Sequence, residues 1–275
     1  EVAPLMAPGF AETEGGLPEI PDRVDELIAD RLNRLPADLR RLVQLCAVIG
    51  QDVPQRVLAP LSGLEQPALT RALARLAEEQ LLYESRQYPD PQFTFKHALT
   101  RDVAYRTMLA ARRRTHHERI VDILAAGDPA AIARDIDALC HHALRAQRWG
   151  QAVRFLRIAG REAMARTAFQ AALASLNKAR EAGTKLGDAT RLRLDVLTEL
   201  QHLIRICGSS ADLGPVLDEA QALAEQRDDR ARLSELRATR GHMFNILGHL
   251  DAAIALGEHA RHAAPPRFPP AQIVL

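Results

Sequence analysis

The sequence predicts a mainly α protein in two parts, a group of helices carrying a small β ribbon and then a stack of helical repeats. Three observations lead there. Aromatic residues make up only 4% of the chain while Ala, Leu and Arg recur throughout, a composition suited to helices rather than to sandwiches or barrels. Apolar residues before residue 80 return at helical spacing, and from Ile136 onward a pattern of small and apolar residues restates itself. With 47% hydrophobic residues there is ample material for a core.

Taken in order, residues 1–20 mix Pro4, Pro8, Gly9, Gly15, Gly16 and Pro18 with scattered acids and read as a linker or the end of a missing domain. Val24, Leu27, Ile28, Leu32 and Leu35 then share one helical face, which Pro36 ends. A second helix over 37–49 buries Leu39, Leu42, Val43, Cys46 and Ile49 and stops at Gly50. Residues 54–61 form a short helix, Gly63 a break, and 66–80 a longer helix around Leu69, Leu73 and Leu76. Leu81 to Ser85 reads as a strand, residues 87–92 as a turn containing Pro89 and Pro91, and Phe93 to Phe95 as the return strand. Helices followed by a two-stranded ribbon make a winged helix, within a domain of residues 21–108 that begins with a lid helix.

At the end of the ribbon Phe93 and Phe95 alternate with Thr94 and Lys96. Ala98, Leu99, Val103 and Tyr105 then turn to helical spacing, so His97 stands at a strand-to-helix junction. Free N–H groups and the positive end of a helix make such a junction a plausible phosphate site. Arg101 lies one turn later, placed to assist or to pair with Asp102.

Residues 109–135 form a connecting helix that starts on Arg112, Arg113 and Arg114 and reaches Gly127. Residues 136–262 are tetratricopeptide-like. Leu139-Cys140-x-x-Ala143-Leu144 leads to Trp149, Ala152, Val153, Leu156 and Ala159, as in a tetratricopeptide helix pair. Phe169 to Ala179 and Gly248 to Ala260 restate its second half. Ala152 and Ala172 are 20 residues apart (172 − 152), Ala220 and Ala253 33 apart (253 − 220), and only the second is close to the usual period of ~34. Residues 263–275 are a Pro-rich tail, expected to be truncated.

The segment Phe95-Lys96-His97-Ala98-Leu99-Thr100-Arg101-Asp102-Val103-Ala104 resembles one in the winged helix of STAND-class signalling ATPases, bacterial AAA-type proteins in which a P-loop ATPase precedes a winged helix and tetratricopeptide-like repeats. Such proteins are often attached to a class III adenylate/guanylate cyclase domain or a LuxR-type regulator. The resemblance implies that His97 contacts a phosphate of ADP bound by the upstream P-loop domain. Lys96 and Ala98 replace the methionine and aspartate of the class motif. It also implies that ADP/ATP is bound only with that ATPase domain, and that the repeats receive a protein or small ligand.

No Gly-x-x-x-x-Gly-Lys-Ser/Thr loop is present, and Gly183-Thr184-Lys185 lacks its spacing. Leu217-Asp218-Glu219 falls within helical periodicity. No nucleophile triad or paired catalytic carboxylates stand out, so no catalytic residues are expected and the chain is read as non-enzymatic, although a parent protein would be an ATPase or cyclase. The pairs His116-His117 and His141-His142 diverge along their helices and lack partners at metal-site spacing, so no metal is expected.

The charge is nearly balanced, 36 basic against 35 acidic residues, which gives no field for nucleic acid. The 66–80 helix sets Arg71 and Arg75 against Glu65, Glu78 and Glu79, a poor DNA-reading face. Cys46, Cys140 and Cys207 read as free thiols of a reducing compartment. No apolar run approaches the ~18–20 residues that cross a bilayer, so a cytoplasmic protein without membrane contact is expected.

The leading expectation is a regulatory segment whose winged helix gates ADP/ATP exchange while its repeats sense a partner. A DNA-binding winged-helix regulator with a helical-repeat dimerisation domain is the alternative, and a plain adaptor the third.

Overall fold

In the computed structural model the described residues are 22–88, 90–187, 190–207 and 210–263. They contain fourteen helices and three strands and divide into two units, with the division between His116 and His117. The expected linker at 1–20 lies outside them, as does the expected Pro-rich tail at 263–275 apart from Ala263, which belongs to the last helix.

The first unit begins with α1 (Asp22–Arg34) and α2 (Ala37–Ile49). Leu32 and Leu35 of the expected apolar face are buried, whereas Val24, in the first turn, and Leu27, about 140° round the helix from Leu32, are exposed. Strand β1 (Asp52–Pro54), α3 (Gln55–Ser62) and α4 (Gln66–Glu78) follow. Leu69, Leu73 and Leu76 place the apolar stripe of α4 inward, each contributing roughly 1.5–3 kcal/mol of burial. Gln80 then takes a left-handed φ of 54°, and the Leu81 N–H reaches back to the Leu76 carbonyl at 3.0 Å, closing the helix.

Strands β2 (Leu82–Arg86) and β3 (Gln92–Phe95) form the expected hairpin, irregular between Glu84 and Arg86. The ribbon is not two-stranded, however. β1 pairs antiparallel with the free side of β3, giving a sheet of order β1-β3-β2. Three residues ending in proline carry too little pattern to be read as a strand, and β1 exists because β3 offers its edge. The same pairing explains why Thr94, expected on the polar face, is buried. Its hydroxyl bonds Asp52 Oδ1 at 2.6 Å and Ser85 Oγ at 2.8 Å, one partner from each flanking strand.

After β3 comes α5 (Ala98–Arg106), which buries Thr100, Val103 and Ala104 and packs on α1 and α2. Arg106 pairs with Asp25 of α1 at 2.9 Å, and Gln44 of α2 donates to Thr107 Oγ1 at 3.2 Å. Helix α6 (Ala110–Ala125) contains the division between units, and α7 (Pro129–Arg134) starts on an Asp128 cap with proline at its first turn.

The second unit continues with α8 (Ile136–Arg145), α9 (Trp149–Ala165), α10 (Phe169–Thr184), α11 (Thr190–Cys207), α12 (Ser210–Gln226), α13 (Arg230–Ile246) and α14 (Leu250–Ala263). From α8 onward each helix packs chiefly on its neighbours in sequence, consistent with an α-solenoid. Leu176, Leu197, Leu200, Leu203, Leu217 and Ala220 lie in one continuous core.

Four turns share one geometry. Gln147, Thr167, Asp228 and Gly248 all have left-handed φ, between 51° and 80°. Beyond each, the N–H of Arg148, Ala168, Asp229 or His249 bonds the carbonyl five residues earlier, at 2.9–3.0 Å. This double-bonded helix ending satisfies carbonyls left open by the helix, so the geometry recurs although only one of the four residues is glycine. Ala152 and Ala172 each stand five residues beyond such a turn and are fully buried in consecutive helices. Their 20-residue spacing therefore measures one helix and one turn, where the tetratricopeptide period would span two.

Candidate functional site

His97 is the N-cap residue of α5, with extended backbone (φ −135°, ψ 126°), and its carbonyl accepts from the Thr100 N–H at 3.0 Å. Its side chain makes no capping bond and is exposed. The N–H groups of Ala98 and Leu99, at the first two helical positions, have no acceptor within the helix, and the helix dipole adds partial positive charge. An imidazole and two backbone donors therefore share one corner, a constellation able to take an anionic oxygen.

The neighbours of His97 are already committed. Lys96 donates to the Gln80 side chain at 3.1 Å, and its N–H bonds the Leu81 carbonyl, fastening the strand exit. Arg101 grips Asp102 Oδ1 through Nε at 2.8 Å and Nη2 at 2.6 Å, so the candidate helper's charge is balanced by the aspartate beside it. Tyr105 packs, with the Arg113 guanidinium 4.8 Å from its ring centroid. The outward face of α4 carries Arg71, Arg75 and Glu78 together, mixed in sign.

Two further groupings, not singled out from the sequence, lie in the second unit. The buried rings of His117, on α6, and His142, on α8, meet with Nδ1 atoms 2.8 Å apart, and His141 lies edge-on to both. One Nδ1 must donate and the other accept, so the pair is held together while at least one ring is neutral. Burial, followed by the neighbouring His117 and His141 rings, holds the His142 imidazole well below its ordinary pKa. Divergence along the helix was expected of the adjacent pairs, but the His141 and His142 rings stand 5.2 Å apart edge to face, and docking of α8 brings His117 against both. Among the described residues no cluster of His, Cys, Asp and Glu is placed to hold a metal ion.

The second grouping is an ionic ladder across alternate helices. Arg157 of α9 holds Glu199 of α11 through two hydrogen bonds, at 2.8 and 3.1 Å, and reaches Asp195 at 3.6 Å. Arg161 adds a second grip on Glu199, while Arg232 of α13 pairs with Asp195 and donates to Thr198 Oγ1 at 2.9 Å. Burial raises the Glu199 pKa, but the bonds from Arg157 and Arg161 outweigh it and leave the carboxyl below its ordinary range. The i,i+4 spacing of Arg157 with Arg161 and of Asp195 with Glu199 was the available sequence signal, one stripe of each sign on helices that alternate in the stack.

The remaining candidates stay structural. Asp218 pairs with Arg240, and Glu219 with Arg180 and Arg193. The three cysteines are free, and burial pushes the Cys46 thiol up and that of Cys140 up to about 12. Among the described residues no helix is long and apolar enough to cross a membrane.

No family model matches the sequence, and no curated protein matches it. Among solved structures, a Signal Transduction ATPase with Numerous Domains (STAND) protein with a tetratricopeptide repeat sensor, from Pyrococcus horikoshii, aligns with a TM-score of 0.32 at 11% identity, over 87% of this chain and 52% of that one. The chain thus spans about half the length of that protein. BtubC from P. vanneervenii aligns with a TM-score of 0.36 at 13% identity, over 91% of this chain and 98% of that one. At these scores neither likeness bears on function.

Proposed function

We propose that this chain is a non-catalytic regulatory segment of a nucleotide-switched signalling ATPase. In this reading the first unit is a winged helix that stabilises the ADP-bound state of a P-loop domain lying upstream in the same protein, and the second is a tetratricopeptide-like sensor. The observation that carries it is His97, exposed at the N-terminus of α5 without a capping bond, within the segment whose sequence resembles the STAND winged helix. The order helix, strand, helix, helix, strand, strand over α2 to β3, with β3 central, supports the winged-helix assignment.

The mechanism follows from charge. His97 and the first N–H groups of α5 donate to a β-phosphate oxygen when ADP occupies the ATPase, and the contact adds to the stability of the closed state. A signal received by the repeats that disfavours this closed arrangement releases the contact, and nucleotide exchange follows. The cofactor in this scheme is ADP or ATP held by the ATPase domain, and Arg101 stays with Asp102.

The test uses the longest reading frame that contains this chain, purified as wild type and as His97→Ala. Bound nucleotide is quantified after denaturation. ADP retained by the wild type and lost, or exchanged at least tenfold faster, in the variant supports the switch. Equal retention, or a reading frame without a P-loop, refutes it.

A further inference from the structure

The ladder leaves a space beneath it. Helices α9 and α11 are bridged by long Arg and Glu side chains, and between them, with α10 and α13 completing the walls, lies a cavity of about 320 Å³. That volume is at the lower end for small-molecule sites. Met164 and Leu176 give it an apolar side, and Arg161, Gln201, Arg205 and Glu235 its polar side.

Three of these polar groups are uncommitted. Gln201 is 3% exposed, yet its Oε1 has no hydrogen-bond partner among the described residues. Leaving such an acceptor unmade is costly, and a polar residue in a helix position that leucine would fill calls for a partner. Arg205, one turn further along α11, has no ion-pair partner among the described residues, and neither has Glu235 of α13. Arg161, by contrast, is neutralised by Glu199. The cavity thus offers an open cation in Arg205, an open anion in Glu235, the buried acceptor of Gln201 and the exposed imidazole of His202.

We propose that this cavity binds a small zwitterion of amino-acid or dipeptide size, with its carboxylate on Arg205 and its ammonium shared by Gln201 Oε1 and Glu235. Arg205 and Glu235 are exposed and of opposite sign while Gln201 supplies the buried acceptor, so a ligand that carries both charges and a donor can engage all three. The apolar side formed by Met164 and Leu176 receives the remaining atoms. The inference stands on the second unit by itself and does not depend on His97 or on nucleotide.

Thermal unfolding of the whole chain is followed with each of the twenty proteinogenic L-α-amino acids and each glycyl dipeptide as probe. At least one free zwitterion is expected to raise the midpoint by roughly 5 °C at a hundredfold excess over its Kd, and its N-acetylated and C-amidated forms are expected not to. Gln201→Leu removes the acceptor and is expected to lower affinity at least tenfold with an unchanged or higher midpoint in the absence of probe. Arg205→Ala, at an exposed position, is expected to lose at least tenfold in affinity while keeping the fold, and decides the matter if Gln201→Leu does not fold. A panel without any shift, a shift that survives Arg205→Ala, or equal binding of the capped forms overturns the proposal.

Discussion

Acid should weaken the second unit through a single pair of rings. His142 is buried and neutral, with His117 Nδ1 2.8 Å away, while in the unfolded chain its pKa returns to about 6.5. Because the folded pKa is the lower one, the unfolded state binds the extra proton, so the contribution is fully present above pH 6.5 and lost as pH falls below it. The slope approaches about 1.4 kcal/mol per pH unit until the folded pKa is reached, so the loss from pH 7.5 to 5.5 is at most about 1.4 kcal/mol. His142→Asn replaces the ring with a neutral amide still able to face His117. The variant should be less stable at pH 7.5, yet lose measurably less than the wild type, by up to about 1.4 kcal/mol, on going to pH 5.5. Urea unfolding reports this through the fluorescence of Trp149, the single tryptophan, which opens α9 within the same unit. Parallel pH profiles for the two proteins would refute the argument. Glu199 titrates in a separate window, since its lowered pKa places its contribution above about pH 4.5 and removes it only in stronger acid.

Thr94→Val should cost about 1–3 kcal/mol, because Asp52 and Ser85 both lose the hydroxyl that joins the three strands; chemical denaturation of the first unit measures it. Leu76→Ala, at a fully buried position of α4, should cost about 2–5 kcal/mol by the same assay. Glu199→Gln should cost about 1.5–3 kcal/mol, because Arg157 keeps its partly buried charge and loses its two-bond partner, and the difference from wild type should shrink at high salt. His97→Ala should change stability by less than about 0.5 kcal/mol, since an exposed ring without a capping bond supports nothing in its own unit; a larger loss would mean that the residue is structural.

The helices were legible because their signals are local. Leu69, Leu73 and Leu76 announce α4 by spacing alone, and Gly50 and Gly63 mark real helix ends. Strand β1 was not legible, because Asp52, Val53 and Pro54 become a strand only when β3 arrives from some forty residues away. The apolar stripe of α1 illustrates the opposite error, for Leu27 lies about 140° round the helix from Leu32, at the edge of the expected face, and is exposed together with Val24. His97 could be singled out from its junction, and its exposure and missing cap bond are new information from the fold. The His117–His142 pair and the open acceptor of Gln201 depend on how helices dock, a property that no window of sequence contains.

The ladder gives the helical stack an unusual mechanical character. A row of helices in which each backbone rests on its neighbours in sequence behaves as a spring, able to stretch or bend at every joint with little effect beyond the next one. The links from Arg157 and Arg161 to Glu199, and from Asp195 to Arg232, skip a helix each time and so act as tie-rods along one side of that spring. Arg180 of α10, held by Glu219 of α12 at 2.7 Å, ties the intervening helices in the same way, so both sets of alternate helices are linked. The stiffness of the stack therefore reaches beyond nearest neighbours, and because the rods are ionic it is set partly by the salt around it.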